Sequence, residues 1–289
     1  MARVDLARRH ERFADVSPQV GTVDDEALQR ALRDDPSAAL ELLADLTIAT
    51  DARLRAQAKR LARTIVLERA KAGRSRARGT SRLRAVPADQ GGDLDVDASL
   101  DSIAAARAVG RTPGLDELVA RDWGRPDLAV CLLVDASGSM SGARLAAAAL
   151  TAAACAWRAP AEFAVLSFAR DVRVHRALTA PVGAGVVVER LLGLRGHGVT
   201  SLANALQAAG RQLGAARASR RITVLLSDCR ATDDVDPVPV AGTLDELLVL
   251  APADDCAEAG EFAAWVGARW EPMAGAADAP AALARLLDG

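Results

Sequence analysis

The chain has 289 residues, of which 51% are hydrophobic and 26% charged, with 36 basic residues against 38 acidic ones and a formal net charge of -2. That length allows one large domain or two modest ones with a sizeable apolar core, and the near-neutral balance argues against a surface built throughout for nucleic acid. Tyr is absent and aromatics make up 3% of the chain, so the core has to come from Ala, Leu and Val, and a stacking platform for bases is not expected.

The chain opens with mixed charge and no apolar leader, which predicts no secretory signal and a cytoplasmic location. Asp24, Asp25 and Glu26 then suit a helix N-terminus, where negative charge meets the helix dipole. From there to residue 72, Leu28, Leu32, Leu40, Leu43, Leu46, Leu54, Leu61, Ile65 and Val66 recur at helical steps, with Pro36 marking a break. The spacing predicts two or three helices, and a helical region over 1–85. Between Ala52 and Ala88 there are twelve basic residues against one acid, Glu68, a local charge of +11. Its end, 72–84, is rich in Gly, Ser and Arg with no apolar period. A run of acids follows: Asp89, Asp93, Asp95, Asp97 and Asp101. Residues 86–126 therefore read as a charged linker.

Beyond 126 the pattern changes. Apolar runs of strand length at 128–134, 163–168, 172–178, 222–226 and 247–250 alternate with helical segments at 144–157, 186–192, 202–213 and 257–266. Runs buried on both faces and joined by helices predict a mainly parallel sheet sandwiched by helices, a Rossmann-like α/β domain over 127–289. The longest apolar stretch, 145–157, is too short to cross a bilayer and is flanked by Arg144 and Arg158. None of Cys131, Cys155, Cys229 and Cys256 sits in a C-x-x-C pair, which predicts free thiols in a reducing compartment. His10 and His175 have no partner at a useful spacing and are expected at the surface.

Ligands of such sheets bind beyond the carboxyl ends of the strands. Asp135 ends the first run and Asp228 follows the 222–226 run, so both acids fall where a site belongs. In Asp135-x-Ser137-x-Ser139 alternate residues present one carboxylate and two hydroxyls, an oxygen set that suits Mg2+, with Mn2+ or Ca2+ as substitutes. Thr200, behind the turn Gly196-His197-Gly198, and Asp228 are the further oxygens. Two carboxylates and three hydroxyls leave a water-filled position open to a carboxylate from outside.

The run Leu132-Leu133-Val134-Asp135-Ala136-Ser137-Gly138-Ser139-Met140 resembles the D-x-S-G-S-M signature of bacterial von Willebrand factor A domains, and Thr200 and Asp228 match that family's second and third metal loops in order and spacing. The resemblance covers roughly 127–289. It implies a metal-ion-dependent adhesion site (MIDAS) with Ser137 and Ser139 as direct ligands, and Asp135, Thr200 and Asp228 direct or through water. Met140, His197, Cys229 and Arg230 flank these ligands and are expected at the rim that meets a partner. Within the family the chain is similar to CoxE-like proteins and, more distantly, to the D subunits of magnesium and cobalt chelatases. That likeness implies a non-enzymatic adaptor for a MoxR-type AAA+ ATPase in complex assembly or metal-centre maturation, whose partner offers an acidic residue to the metal. The alternatives are a chelatase-type subunit of a metal-insertion complex, or binding of nucleic acid or an anionic surface through 53–84. Two departures stand out: Val199 precedes Thr200, and Cys229 follows Asp228 where the family reads Asp-Gly, which leaves that backbone less free.

Competing chemistry lacks its signatures. Ser137, His197 and Asp228 lack the G-x-S-x-G elbow of a hydrolase. The two lysines, Lys59 and Lys71, stand outside any Walker A context. The ladder Asp93-x-Asp95-x-Asp97 has Ala98 and Ala104 where an EF-hand needs Gly and Glu.

Overall fold

The computed structural model describes residues 1–72, 82–88, 93–124, 128–138, 142–196 and 198–288. By its contacts the chain divides into two units: Met1–Ser75 together with Leu128–Gly289, and Arg76–Asp127.

Five helices open the first unit: α1 (Arg3–Arg9), α2 (Phe13–Val16), α3 (Asp25–Asp34), α4 (Pro36–Leu46) and α5 (Ala52–Ala72). Local chemistry sets their ends. The Asp24 carboxylate accepts the Ala27 amide at 3.0 Å and starts α3. Asp35 closes α3 and caps α4 through the Ala38 amide at 3.0 Å, with Pro36 in the first turn, where a missing N–H costs nothing. The break at Pro36 is thus one residue wide, and α1 and α2 lie in the expected helical region, ahead of the leucine period that begins at Leu28.

The second unit holds strands β1 (Arg82–Pro87) and β2 (Asp93–Leu94), helix α6 (Val96–Ala108) and strand β3 (Val119–Gly124). β3 lies between β1 and β2, antiparallel to both. The segment expected as a charged linker is therefore folded. Two features explain why. Asp95 caps α6 by accepting the Ala98 amide at 3.0 Å and pairs with Arg121 at 2.5 Å. Ser99, buried, bonds the Val119 carbonyl and amide and ties α6 to β3.

From Leu128 onward the first unit continues with β4 (Leu128–Asp135), α7 (Gly142–Arg158), β5 (Glu162–Phe168), β6 (Val172–Arg176), α8 (Ala184–Leu192), α9 (Leu202–Leu213), β7 (Arg220–Leu226), α10 (Val238–Ala241), β8 (Leu247–Pro252), α11 (Ala257–Val266), β9 (Arg269–Met273) and α12 (Ala279–Asp288). The six strands order as β6-β5-β4-β7-β8-β9, parallel except for β6. The α/β sandwich expected from the apolar runs is present, extended by β9 and α12, which the sequence reading left out.

Alternate residues of β4 feed two cores, as the two-residue period of a strand requires. Ala129, Cys131 and Leu133 pack with Leu202 and Leu206 of α9 and Phe262 of α11. Val130, Leu132 and Val134 face α7 and share one core with α8, α12 and the N-terminal helices, including Leu6, Phe13, Leu28, Leu43, Leu54 and Val66. The helical region is thus a third layer of the same unit, laid over α7. This explains the apolar run at 145–157: every residue from Leu145 to Cys155 is buried, because sheet and N-terminal layer cover the helix from opposite sides.

Both histidines expected at the surface are enclosed. The His10 side chain is 8% exposed and its Nε2 lies 3.0 Å from the Asp45 carboxylate. His175, on β6, is 6% exposed and bonded to Ser167 Oγ at 2.7 Å.

Two outcomes follow from this packing. A Cβ on Gly142 would meet the Glu41 side chain and stand 2.8 Å from its carbonyl oxygen, so Gly142→Ala should lower stability by about 1–3 kcal/mol in urea denaturation. Burial, and then the charges of Arg173 and Arg190, push the His175 imidazole down to about 4 from its ordinary 6.5. The unfolded chain takes up this proton first. The contribution of neutral His175 is therefore complete above about 6.5 and is lost as pH falls toward 4. Denaturation midpoints measured from pH 7 to 4 should fall more steeply for wild type than for His175→Gln.

Candidate metal centre

β4 lies where the sheet order reverses: the chain leaves β4 for β5 on one side and later returns to β7 on the other. Carboxyl ends at such a switch point splay their loops apart and open a crevice. Asp135 and Asp228 sit at the ends of these two strands. Both line one crevice with Val134, Leu226, Ser227, Pro252 and Met273, bounded by Arg144 and Ala147 of α7.

Each acid is locked by its own loop. Asp135 Oδ1 accepts the Ser137 amide at 2.9 Å, and Asp228 Oδ1 accepts the Arg230 amide at 3.0 Å. Both are Asx turns, in which a short carboxylate bonds the backbone two residues on. Ser227 joins the two loops. Its hydroxyl donates to Asp135 Oδ2 at 2.6 Å and accepts the Cys229 amide at 2.9 Å. A carboxylate offers about four lone-pair positions, so these bonds leave acceptor capacity on both acids.

Cys229 is the one non-glycine with positive φ (63°) among the described residues. Its place after Asp228 is a left-handed position that glycine adopts freely, and holding another residue there costs about 1–3 kcal/mol. The thiol is buried in the core under the loop, which offsets part of that cost and pushes its ionisation far above the ordinary range. Cys229, expected on the partner-facing rim, is therefore a packing residue. Arg230 is exposed as expected and pairs with Asp255 at 2.6 Å and Glu258 at 3.0 Å.

Thr200 reaches the same edge on the loop before α9 and is buried. Its amide donates to Thr232 Oγ1 at 2.7 Å, and its carbonyl accepts the Thr232 amide at 3.1 Å. The Ser201 amide bonds the Ala169 carbonyl just past β5, and the Ser201 hydroxyl donates to Asp233 at 2.5 Å. The second loop is thus tied both to β5 and to the segment after β7.

The von Willebrand factor type A domain family matches residues 130–230. The chain contains a von Willebrand factor type A domain. No curated protein matches the chain. Solved structures do: an aerotolerance-related membrane protein from Bacteroides fragilis NCTC 9343, carrying multiple mutations to serines, at 16% identity over 56% of this chain and 98% of that one, TM-score 0.46; BatB from Bacteroides thetaiotaomicron, 15% over 55% and 97%, TM-score 0.45; and a von Willebrand factor type A protein from Catenulispora acidiphila, 18% over 59% and 43%, TM-score 0.42.

Of the ligands expected in this domain, the structure brings Asp135 and Asp228 to one crevice, places Ser137 in the turn on Asp135, and ties Thr200 into the adjoining loop. Ser139, Met140 and His197 lie outside the described residues. No three His, Cys, Asp or Glu side chains come together among the described residues; the expected set instead pairs two carboxylates with hydroxyls, which fits a hard cation that retains water. Sequence reasoning missed Ser227, Thr232 and Asp233. Ser227 carried a signal, a hydroxyl directly before the strand-end acid; Thr232 and Asp233 carried none, because their partners are some thirty residues away.

Replacing Ser227 with Ala strands Asp135 Oδ2 and the buried Cys229 amide together. The variant should lose about 1–3 kcal/mol in chemical denaturation, the cost of leaving buried polar groups unpaired; a neutral substitution would show that water or a neighbour replaces the hydroxyl.

Proposed function

We propose that this von Willebrand factor type A domain is a metal-dependent protein-binding adaptor rather than a catalyst. The reading rests above all on Asp135 and Asp228, two carboxylates at the switch point of a mainly parallel sheet, each held by an Asx turn, with Ser227 bonding Asp135 and the Cys229 amide of the other loop. Asp135, Ser137, Ser139, Thr200 and Asp228 would hold Mg2+, or Mn2+ or Ca2+ in its place. Bound there, the ion supplies positive charge and an open position for an acidic residue of a partner. The protein's part is to orient oxygens: Ser227 fixes the face of Asp135, and Thr232 fixes the loop of Thr200.

The partner proposed is a MoxR-type AAA+ ATPase or its client, on the resemblance of the metal loops and the preceding charged segment to CoxE-like proteins. A subunit of a chelatase-type complex would use the same site. Binding of nucleic acid or an anionic surface through 53–84 has less support. On α5, Arg63 pairs with Glu189, Arg69 donates to the Leu32 carbonyl, and Lys71 pairs with Glu68 and stacks over Trp157. These three cations have partners within the first unit. Among the described residues no helix is long and apolar enough to cross a membrane, and the proposed place of action is the cytoplasm.

Affinity capture from native cell extract tests the reading with three baits: wild type with Mg2+, wild type with EDTA, and Asp135→Ala. An AAA+ ATPase retained only by the first is the expected result. The same partners on all three baits, with Asp135→Ala still folded by circular dichroism, would overturn it.

A further inference from the structure

The proposed metal loop begins at Asp135, the end of β4, and the next element in the chain is α7, whose first residue is Gly142. The partner of that first residue comes from far away in sequence. The Gly142 amide donates to Oδ1 of Asp45, on α4, at 3.1 Å across 97 residues. The Asp45 side chain is fully buried, and its other oxygen accepts Arg9 Nη1 and lies against His10 Nε2, both at 3.0 Å. Position 142 has room only for glycine: an added Cβ would stand 2.8 Å from the Glu41 carbonyl and 3.3 Å from Asp45 Cγ. The helical layer and the first residue of α7 are therefore in direct contact through one carboxylate.

Resting on the metal-dependent reading above, we propose that Asp45 is a positioning residue for the metal loop, which raises its cation affinity by capping α7 with a buried negative charge. Two physical effects combine. The first turn of a helix has unpaired N–H groups and a partial positive charge. A cation held by the loop just ahead of α7 is opposed by that charge, and a carboxylate on the first amide cancels it. The same bond fixes Gly142, the point at which the chain carrying Ser137 and Ser139 enters α7, so less ordering is left for the ion to impose. Burial works to raise the Asp45 pKa, but the hydrogen bond from His10 and the charge of Arg9 outweigh it and hold the group below the usual carboxylate range, so the cap stays ionised. Arg9, His10 and Asp45 lie outside residues 130–230, so the domain match assigns them nothing.

The test is calorimetric titration of the full chain with Mn2+ and Mg2+, alongside thermal melts without metal. Asp45→Asn keeps an oxygen for the Gly142 amide and removes the charge; Asp45→Ala removes both. Leu28→Ala, in the buried face of α3, loosens the same layer without touching the cap. The expected result is about three- to tenfold weaker Mn2+ binding for Asp45→Asn, a larger loss for Asp45→Ala, and wild-type affinity for Leu28→Ala. Wild-type affinity in Asp45→Asn overturns the proposal and leaves the metal reading standing. Equal weakening in Leu28→Ala also overturns it, since the layer's stability alone would then matter. A wild-type protein that binds neither ion removes the metal reading and this proposal together.

Discussion

Helix α7 is buried without a break from Leu145 to Cys155, and the sheet and the N-terminal helices of the first unit cover it from two sides. The central sheet covers one side through Val130, Leu132 and Val134. On a bare sandwich the opposite side would lie in water, exposing the alanines and leucines between Leu145 and Cys155. Helices α4 and α5 take that place, with α12 beside them. At about 25 cal/mol per Å2 of apolar surface removed from water, this double coverage is a principal source of cohesion between the N-terminal layer and the sandwich. Small side chains make it possible. Alanines let helices approach closely, and Gly142 lets the α4 backbone come against the start of α7.

That packing holds α7 from both sides, and the proposed metal loop starts at the end of β4 and precedes α7 in the chain. The loop's incoming end is held by the sheet, where the Ala136 amide carries the β4–β5 ladder one residue further by bonding Phe168. The first residue of α7, further along the chain, is held by Asp45. Between these anchors the acid Asp135 is turned by Ser137 and Ser227. The sheet and Ser227, both outside the loop, therefore set where the Asp135 carboxylate points.

Electrostatics around the crevice follow a consistent plan. Acids at the strand ends face the proposed ion, while Arg144 and Arg230 stand at its margin, drawn to Asp255 at 3.8 and 2.6 Å. These guanidinium groups are about half exposed, where single ion pairs contribute little to stability.

Much of the sandwich could be read from the sequence alone. Each strand buried on both faces is a nearly continuous apolar run, and the change from such runs to three- and four-residue steps marks the helices between them. Strand-end placement of Asp135 and Asp228 followed from the same reading, because a polar residue closing a buried run has to sit at the sheet's edge. β9 escaped it as a half-exposed edge strand, and α1, inside the expected helical region, lacks the leucine period because it buries only Leu6. The segment at 86–126 looked like linker because its few fixed points, Asp95 and Ser99, act on residues beyond their own turn. Only the tertiary structure decided that the N-terminal helices form a layer on α7, that Ser227 and Thr232 hold the acid and the loop, that Cys229 takes a left-handed backbone turned into the core, and that Asp45 meets Gly142. The physical reason is common to all of these. Periodicity and local spacing report which face of an element is buried, whereas the partner that fills that face, or satisfies one amide at its end, is chosen by packing between residues remote in sequence.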